Sequence, residues 1–407
     1  MKVSKDADEK ENEIIENLTY IICKYDINDT KTEINLVNNN FSKHNNLKFY
    51  INNNISEFSC SHKFEKIGEY NITFVINDTY INLKNMFNNI LSLISIEMIS
   101  GNESSITDIK GIFENCKNLT TVKIKGFTLE KNIISLRKLF FGLPKLEKIE
   151  IDGFHTNNVE DFSYIFANSN INEISLNINT DNAKNMAHMF SKSYSLISLN
   201  LQNINTKNVV DMSFMFYECF SLSSLNIQSF DTSKVISMEY MFYSCSSLSS
   251  LNITNFKTFN VQKMNYIFSE MHSLKSLDLS SFDTKNVGDM RFMFAFDYNL
   301  AEINIKKFDT QNAKLMEGMF MKCERLTQLD LSSFNTGKVY TMNCMFKNCT
   351  SLEELNIANF DTRNAYKYFN KTFEFCDKLK KILVKKDNKN CEDLLNSKPN
   401  NAIVVEI

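Results

Sequence analysis

The feature that most constrains the fold is a phenylalanine that recurs about every 26 residues. Six copies keep this spacing without slippage, at Phe216, Phe242, Phe268, Phe294, Phe320 and Phe346. The series extends with spacings of 24 to 27 residues to Phe190, Phe166, Phe140, Phe113, Phe87 and, beyond the six, Phe373. A repeat of this length is typical of a solenoid, in which each repeat is one structural unit. The sequence predicts about twelve such units, here called rungs, between about residue 80 and residue 385.

Within one rung, residues 231–256, the apolar side chains follow two different periods. The first part has the spacing of one face of an amphipathic helix, with apolar residues at Val235, Met238, Met241, Phe242 and Cys245. The second part alternates, which predicts a short half-buried strand, with Leu251 and Ile253 facing inward. Asp231 and Thr232 precede the helical pattern and are suitable N-cap residues. Each rung is therefore predicted to be a helix, a turn, a strand and a turn.

A single rung cannot bury enough apolar surface to offset the entropy of ordering 26 residues. Stacked neighbours must supply the missing burial and the hydrogen bonds of the strands. Strands pair at about 4.8 Å whereas helices need about 8–10 Å. We therefore expect the parallel sheet to line the concave side of a curved array.

The repeat also has a specific sequence motif. Residues 221–235 read Ser-Leu-Ser-Ser-Leu-Asn-Ile-Gln-Ser-Phe-Asp-Thr-Ser-Lys-Val, and Met238-x-x-Met241-Phe242-x-x-Cys245 follows. This motif closely resembles that of the BspA-like leucine-rich-repeat family, which is best known from bacterial and protist surface proteins. The resemblance implies a right-handed leucine-rich-repeat-like solenoid. Together with the helix and strand predicted in each rung, this makes the expected fold α/β, with about twelve helix–strand rungs. The resemblance also implies a non-catalytic protein that binds other proteins or cell-surface material.

The two ends of the chain differ from the repeats. Residues 1–18 carry charge without an apolar run and are predicted to be a disordered tail. Residues 19–80 contain alternating runs that predict a small N-terminal β module, which would cap the first rung. The solenoid is predicted over residues 81–385, and residues 386–407 are predicted to form a C-terminal cap of one brief helix and one strand.

Charge and motifs exclude several classes of function. A net charge of −3 provides no basic field for nucleic acid. No phosphate-binding glycine motif, nucleophile elbow or metal-spaced His/Cys pair is present, so we expect no enzyme, no cofactor and no metal. The first apolar run, Leu18 to Cys23, is too short for a signal peptide or a membrane span. The sequence thus indicates a cytoplasmic protein without membrane insertion, whereas the family resemblance suggests the cell surface or secretion.

Two repeat positions are predicted to lie in the core. One is a methionine column, which is predicted to fill gaps beside Phe and Val: Met186, Met212, Met238, Met264, Met290, Met316 and Met342. The other holds cysteine at Cys219, Cys245, Cys323, Cys349 and Cys376. Met271 and Asp297 fill the same slot in other rungs, so we predict buried, reduced thiols rather than disulfides.

Two further columns are candidate partner-binding sites. The first lies on the outward face of the predicted sheet, at Asn200, Asn226, Asn252, Asp278, Asn304, Asp330 and Asn356. It could bind an extended partner, or it could be a solvated face whose amides bond along the stack. The second is an aromatic ridge on the predicted helices, at Tyr164, His188, Phe214, Tyr240, Tyr266 and Phe292. It could anchor a partner protein, or it could pack neighbouring helices together.

The function that these observations favour is a non-catalytic protein-binding solenoid. The family resemblance implies adhesion or recognition at the cell surface. The alternative is an intracellular protein-interaction scaffold. Self-association through an exposed sheet edge stays open, and the sequence does not name the partner, whether protein or another cell-surface ligand.

Overall fold

The structure is a computed structural model that describes residues 18–41, 46–101, 104–171, 173–365 and 369–407. The chain divides into two compact units. One comprises Met1–Val159 and Ser169–Thr180, and the other comprises Glu160–Asn168 and Asp181–Ile407.

The first unit contains thirteen of the strands in the described residues. They are β1 (Thr19–Ile27), β2 (Ile34–Asn35), β3 (Leu47–Ile51), β4 (Asn54–Ser56), β5 (Ser61–His62), β6 (Gly68–Ile76), β7 (Tyr80–Asn82), β8 (Leu93–Ser100), β9 (Ser105–Asp108), β10 (Thr121–Lys125), β11 (Thr128–Leu129), β12 (Lys148–Phe154) and β13 (Glu173–Ile178).

An eight-stranded sheet runs through this unit in the order β13-β12-β10-β8-β1-β6-β3-β4. The strand β1 pairs antiparallel with both β6 and β8, and β8, β10, β12 and β13 pair in parallel. Alternate residues of β1, such as Ile21, Cys23 and Tyr25, are fully buried. The antiparallel N-terminal strands and the parallel strands of the first rungs are thus one hydrogen-bonded sheet.

The strands of the second unit are all short, with three or four residues each. They are β14 (Ser198–Asn200), β15 (Ser224–Asn226), β16 (Ser276–Asp278), β17 (Glu302–Asn304), β18 (Gln328–Asp330), β19 (Glu354–Asn356), β20 (Lys381–Val384) and β21 (Ile403–Glu406). All their pairings are parallel, and the register matches equivalent repeat positions, for example Leu199 with Leu225. A second parallel ladder of single-residue bridges runs along the unit from Asp161 to Thr341.

The helices predicted within the rungs are wrong. In the described ranges the only α-helix is α1 (Glu392–Leu395), preceded by a 3-10 turn at Lys389–Cys391. The rungs form a solenoid of about twelve turns built from strands and tight turns, so the α/β description with helix–strand rungs does not hold. The reason lies in two residues of each rung that take left-handed backbone conformations, such as Tyr240 at φ 56° and Ser244 at φ 58°. A right-handed helix cannot continue through such residues.

The hydrogen bonds of these turns link one rung to the next. The N–H groups of Met238, Tyr240 and Phe242 donate to carbonyls of the following rung at 3.0–3.1 Å. Other N–H groups of these turns donate three residues back along the chain, as Met241 does to Met238 at 3.2 Å. Consecutive three-residue turns bury every third side chain, so they give nearly the apolar spacing that indicates an amphipathic helix. An amphipathic helix and this run of turns therefore give nearly the same spacing of buried apolar residues, although their backbone conformations differ.

The core is a set of stacked columns. The repeat phenylalanines stack ring on ring, with centroids 5.6 Å apart for Phe216 and Phe242 and 5.9 Å apart for Phe242 and Phe268. All seven residues of the methionine column are fully buried. The cysteine column is also buried, and each thiol donates to the carbonyl of a repeat phenylalanine, as Cys245 does to Phe216 at 3.2 Å.

The predicted N-cap pair performs another task. Asp231 Oδ1 accepts the N–H of Ser233 at 3.0 Å, which closes a local turn. The buried hydroxyl of Thr232 donates to the carbonyl of Lys257 at 3.0 Å and accepts its N–H at 2.7 Å. The Asp-Thr pair thus closes a local turn and forms hydrogen bonds to the next rung instead of capping a helix.

Candidate functional site

The seven residues predicted to form a sheet-face site, here called the polar column, lie at equivalent positions of the second unit. Asn200, Asn252, Asp278 and Asp330 are exposed, and the other three are partly exposed. The residues therefore line up at intervals of one rung, and solvent reaches all of them.

Most side chains of the polar column hold the local backbone. The Oδ1 atom accepts the N–H two residues later, at 3.2 Å for Asn200, 3.0 Å for Asp278, 3.0 Å for Asp330 and 3.1 Å for Asn356. Hydrogen bonds of this kind with Ser280 lower the pKa of Asp278 below its ordinary value. The turn that ends each strand thus explains why Asn or Asp is needed here. Sequence reasoning missed this role, although an Asn or Asp at the end of a strand is a signal for it.

The polar column also has bonds along the stack in one place. Asn304 Nδ2 donates to Asp278 Oδ1 at 2.9 Å. Beside the column, two residues earlier in the chain, lie exposed Ser198, Ser224 and Ser276. This part of the surface combines fixed amides and carboxylates with small hydroxyl groups.

The six residues of the predicted ridge form a continuous stack of rings, here called the aromatic ladder. All six are partly buried, and each has a left-handed backbone conformation. Successive ring centroids from Tyr164 to Phe292 are 4.2, 4.4, 4.7, 4.5 and 4.8 Å apart, with interplanar angles of 8° to 19°. Because no helix is present in these rungs, the ladder lies on a column of turns.

The stacking uses the faces of the rings, so the ladder offers mainly ring edges and hydroxyl groups to solvent. At one end, the ring of Phe292 lies over Gly318, where an added Cβ atom would clash with the ring. Glycine at this position therefore makes room for the ring. The geometry fits packing between neighbouring rungs, which was one of the two interpretations of the ridge.

A second pair of rings, Tyr217 and Tyr243, lies beside the ladder. Their centroids are 5.1 Å apart, and the edges of both rings meet ladder rings, as Tyr217 meets Tyr240 at 6.1 Å. Tyr243 Oη donates to Glu270 Oε1 at 2.7 Å. Burial raises the pKa of Tyr243, and the hydrogen bond to Glu270 raises it further.

One buried carboxyl group departs from the repeat. Asp297 occupies the cysteine slot and is fully buried. Its Oδ1 atom accepts the N–H of Met271 at 2.8 Å, whereas its Oδ2 atom has no hydrogen-bond partner among the described residues. Burial raises the pKa of this carboxyl group well above its ordinary value.

Two general properties bear on function. Within the described ranges, no group of three or more His, Cys, Asp or Glu side chains is arranged to hold a metal ion. The same part of the chain contains no helix of sufficient length and apolar character to span a bilayer.

Comparison with known protein families identifies the repeat. A family described as "Mycoplasma protein of unknown function, DUF285" matches residues 81–198, 192–295 and 264–386. The chain belongs to the DUF285 family. No curated protein matches this DUF285 chain.

Several solved structures are similar to this DUF285 protein. A leucine-rich repeat protein from Eubacterium ventriosum is 12% identical, with 70% of this chain and 85% of that chain covered and a TM-score of 0.31. A leucine-rich-repeat protein of Leptospira interrogans is 13% identical, with 72% and 91% covered and a TM-score of 0.22. A chain in an octameric complex of Latrophilin 3, Unc5D and FLRT2 is 13% identical, with 81% and 84% covered and a TM-score of 0.24. The family is described as having unknown function, so a function for this chain is inferred from its own surfaces.

Proposed function

We propose that this chain is a non-catalytic protein-binding solenoid that holds a partner along the polar column. The observation that carries the proposal is that the Oδ1 atoms are already fixed by backbone N–H groups. Side chains that are ordered before binding lose little conformational entropy when a partner arrives. A row of fixed polar groups at one-rung spacing suits the main chain of an extended partner segment.

The finer function that we propose is adhesion or recognition at the cell surface, by a BspA-like protein. Its support is the resemblance of residues 221–235 and the motif that follows to that family. Digestion of intact cells with protease tests the location, because a displayed chain would be cleaved while a cytosolic marker stays whole.

The second candidate is an intracellular scaffold, and the cysteine column favours it. Five buried thiols each donate to a backbone carbonyl, which is the reduced form of the side chain. Reduced thiols are the rule in the cytosol. In this case, shaving of intact cells would leave the chain uncut.

The binding proposal is tested by capture of partners from a lysate of the source cells. The variant carries Ser224→Lys and Ser276→Lys, two exposed positions beside the polar column. The matched control carries Ser281→Lys and Ser333→Lys, which are equally exposed and add the same charge. We expect a protein that is captured by the wild type and the control and is lost by the variant. Equal capture by all three chains would overturn the proposal.

A further inference from the structure

One column of the second unit carries charges in an order that the repeat does not require. The residues two positions after six successive repeat phenylalanines, from Phe190 to Phe320, are here called the charged column: Lys192, Glu218, Ser244, Glu270, Phe296 and Lys322. All six have left-handed backbone conformations with φ between 56° and 65°. Lysine thus stands at both ends of this six-rung stretch, and the two glutamates stand between them; the same position holds Asn168 before it and Asn348 after it.

The lysines at the ends place their ammonium groups over aromatic rings. Lys192 Nζ is 5.9 Å from the ring centroid of Tyr217. Lys322 Nζ is 5.1 Å from the centroid of Phe296 and 6.0 Å from that of Tyr298. These distances are within the range of cation–π attraction, so this surface already accommodates ammonium groups.

The two glutamates, Glu218 and Glu270, are not paired with a lysine or arginine of the described residues. Neither Glu218 nor Glu270 forms an ion pair with a described residue. Glu270 is held instead by hydroxyl groups, since Tyr243 Oη donates at 2.7 Å and Ser244 Oγ at 2.8 Å. Hydroxyl donors fix the position of a carboxylate but leave its negative charge uncompensated.

The two carboxylates lie two rungs apart, which corresponds to about 10 Å at the usual spacing of paired strands. The stacked rings of Tyr217 and Tyr243 lie next to them. Carboxylate oxygens attract guanidinium and ammonium groups through charge-assisted hydrogen bonds, and neighbouring aromatic rings pack against the aliphatic stems of such side chains. The same negative charges oppose phosphate-bearing ligands.

We propose that Tyr217, Glu218, Tyr243 and Glu270, here called the acidic tyrosine surface, bind a basic segment of a partner protein. Lysine or arginine side chains of that segment place their charged groups on the two carboxylates, while their aliphatic stems pack along the edges of the two rings. The inference rests on the proposed protein-binding function and adds to it the chemistry of one contact, in columns other than the polar column.

The test is a titration of a fluorescent peptide of alternating lysine and serine at physiological salt, followed by anisotropy. The variant Glu218→Gln with Glu270→Gln keeps the side-chain shape, and we expect it to bind the peptide about tenfold more weakly. The matched control, Glu147→Gln with Glu302→Gln, changes two exposed glutamates by the same total charge and should bind within about twofold of the wild type. Equal weakening in both chains, or weakening in neither, overturns the inference.

A charge reversal checks the same point by gain of binding. We expect Glu218→Lys with Glu270→Lys to bind a peptide of alternating glutamate and serine and to lose the lysine peptide; failure of this exchange counts against the inference. The variant Ser224→Lys with Ser276→Lys should still bind the lysine peptide. If the wild type does not bind that peptide, the proposal that the acidic tyrosine surface binds basic segments is wrong. The capture experiment on the polar column tests the proposed protein-binding function independently of this outcome.

Discussion

The buried carboxyl group of Asp297 leads to a specific prediction about stability, because it occupies a repeat position where other rungs have a cysteine thiol. In the next rung Cys323 donates its thiol to the carbonyl of Phe294 at 3.0 Å. Asp297 instead leaves Oδ2 without a partner among the described residues. A buried polar atom of this kind costs about 1–3 kcal/mol. We therefore expect Asp297→Cys to raise the free energy of unfolding by about that amount under acidic conditions.

The effect should also grow with pH. Burial raises the pKa of Asp297, so the folded chain keeps a proton that the unfolded chain loses near pH 4. Unfolding then releases a proton, and the contribution of this residue to stability falls by about 1.4 kcal/mol per pH unit until the folded pKa is reached. Below the unfolded pKa the contribution is constant. The advantage of Asp297→Cys over the wild type should accordingly widen as the pH rises above the unfolded pKa of about 4.

Urea unfolding followed by far-ultraviolet circular dichroism, at about pH 4.5, 5.5 and 6.5, measures this difference. Asp297→Asn is the matched control, because it keeps an acceptor for the N–H of Met271 but does not titrate. Its stability relative to the wild type should rise with pH in the same way as that of Asp297→Cys. Parallel pH curves for the three chains would show that the carboxyl group is not held neutral by burial.

Two further predictions concern the aromatic ladder. Gly318→Ala should lower stability by about 1–3 kcal/mol in chemical denaturation, because its Cβ atom would meet the ring of Phe292 and because Gly318 has a left-handed backbone at φ 59°. Gly288→Ala is the control for the loss of a glycine, since it has neither a left-handed backbone nor an atom within 4 Å of an added Cβ atom. Tyr240→Ser should lower the melting temperature and the near-ultraviolet dichroism, because two stacked contacts worth about 0.5–1.5 kcal/mol each are lost. Tyr340→Ser, at an exposed side chain, should change neither, and an equal effect of both substitutions would contradict the role of stacking.

The repeat and its buried positions could be predicted from spacing alone. Phe242, Met238 and Cys245 are fully buried, as their periodic apolar character indicated. The local backbone could not be predicted in the same way, because a helix and a run of three-residue turns bury nearly the same positions. The boundaries of the N-terminal module, the solenoid and the C-terminal cap stay predictions, as does partner binding by the two predicted columns.

The functional surfaces were only partly visible in the sequence. The alignment of Asn200 with Asn226 follows from the period, and the parallel register confirms it. That Asn200 closes a turn through Oδ1 depends on the backbone after the strand, which the period does not specify. The place of Glu270 beside Tyr243 was missed, because the two residues belong to adjacent rungs and meet only when those rungs stack.

The sequence by itself thus determined the length of a rung, the columns that lie inside and the need for rungs to stack. The tertiary structure decided the path of the backbone within each rung. Tyr240 holds a left-handed conformation that costs an isolated residue about 1–2 kcal/mol. Its N–H donates to Asn265 of the next rung at 3.0 Å, and its ring stacks on both neighbouring rungs. These contacts exist only between rungs, so no single repeat contains the information that selects turns over a helix.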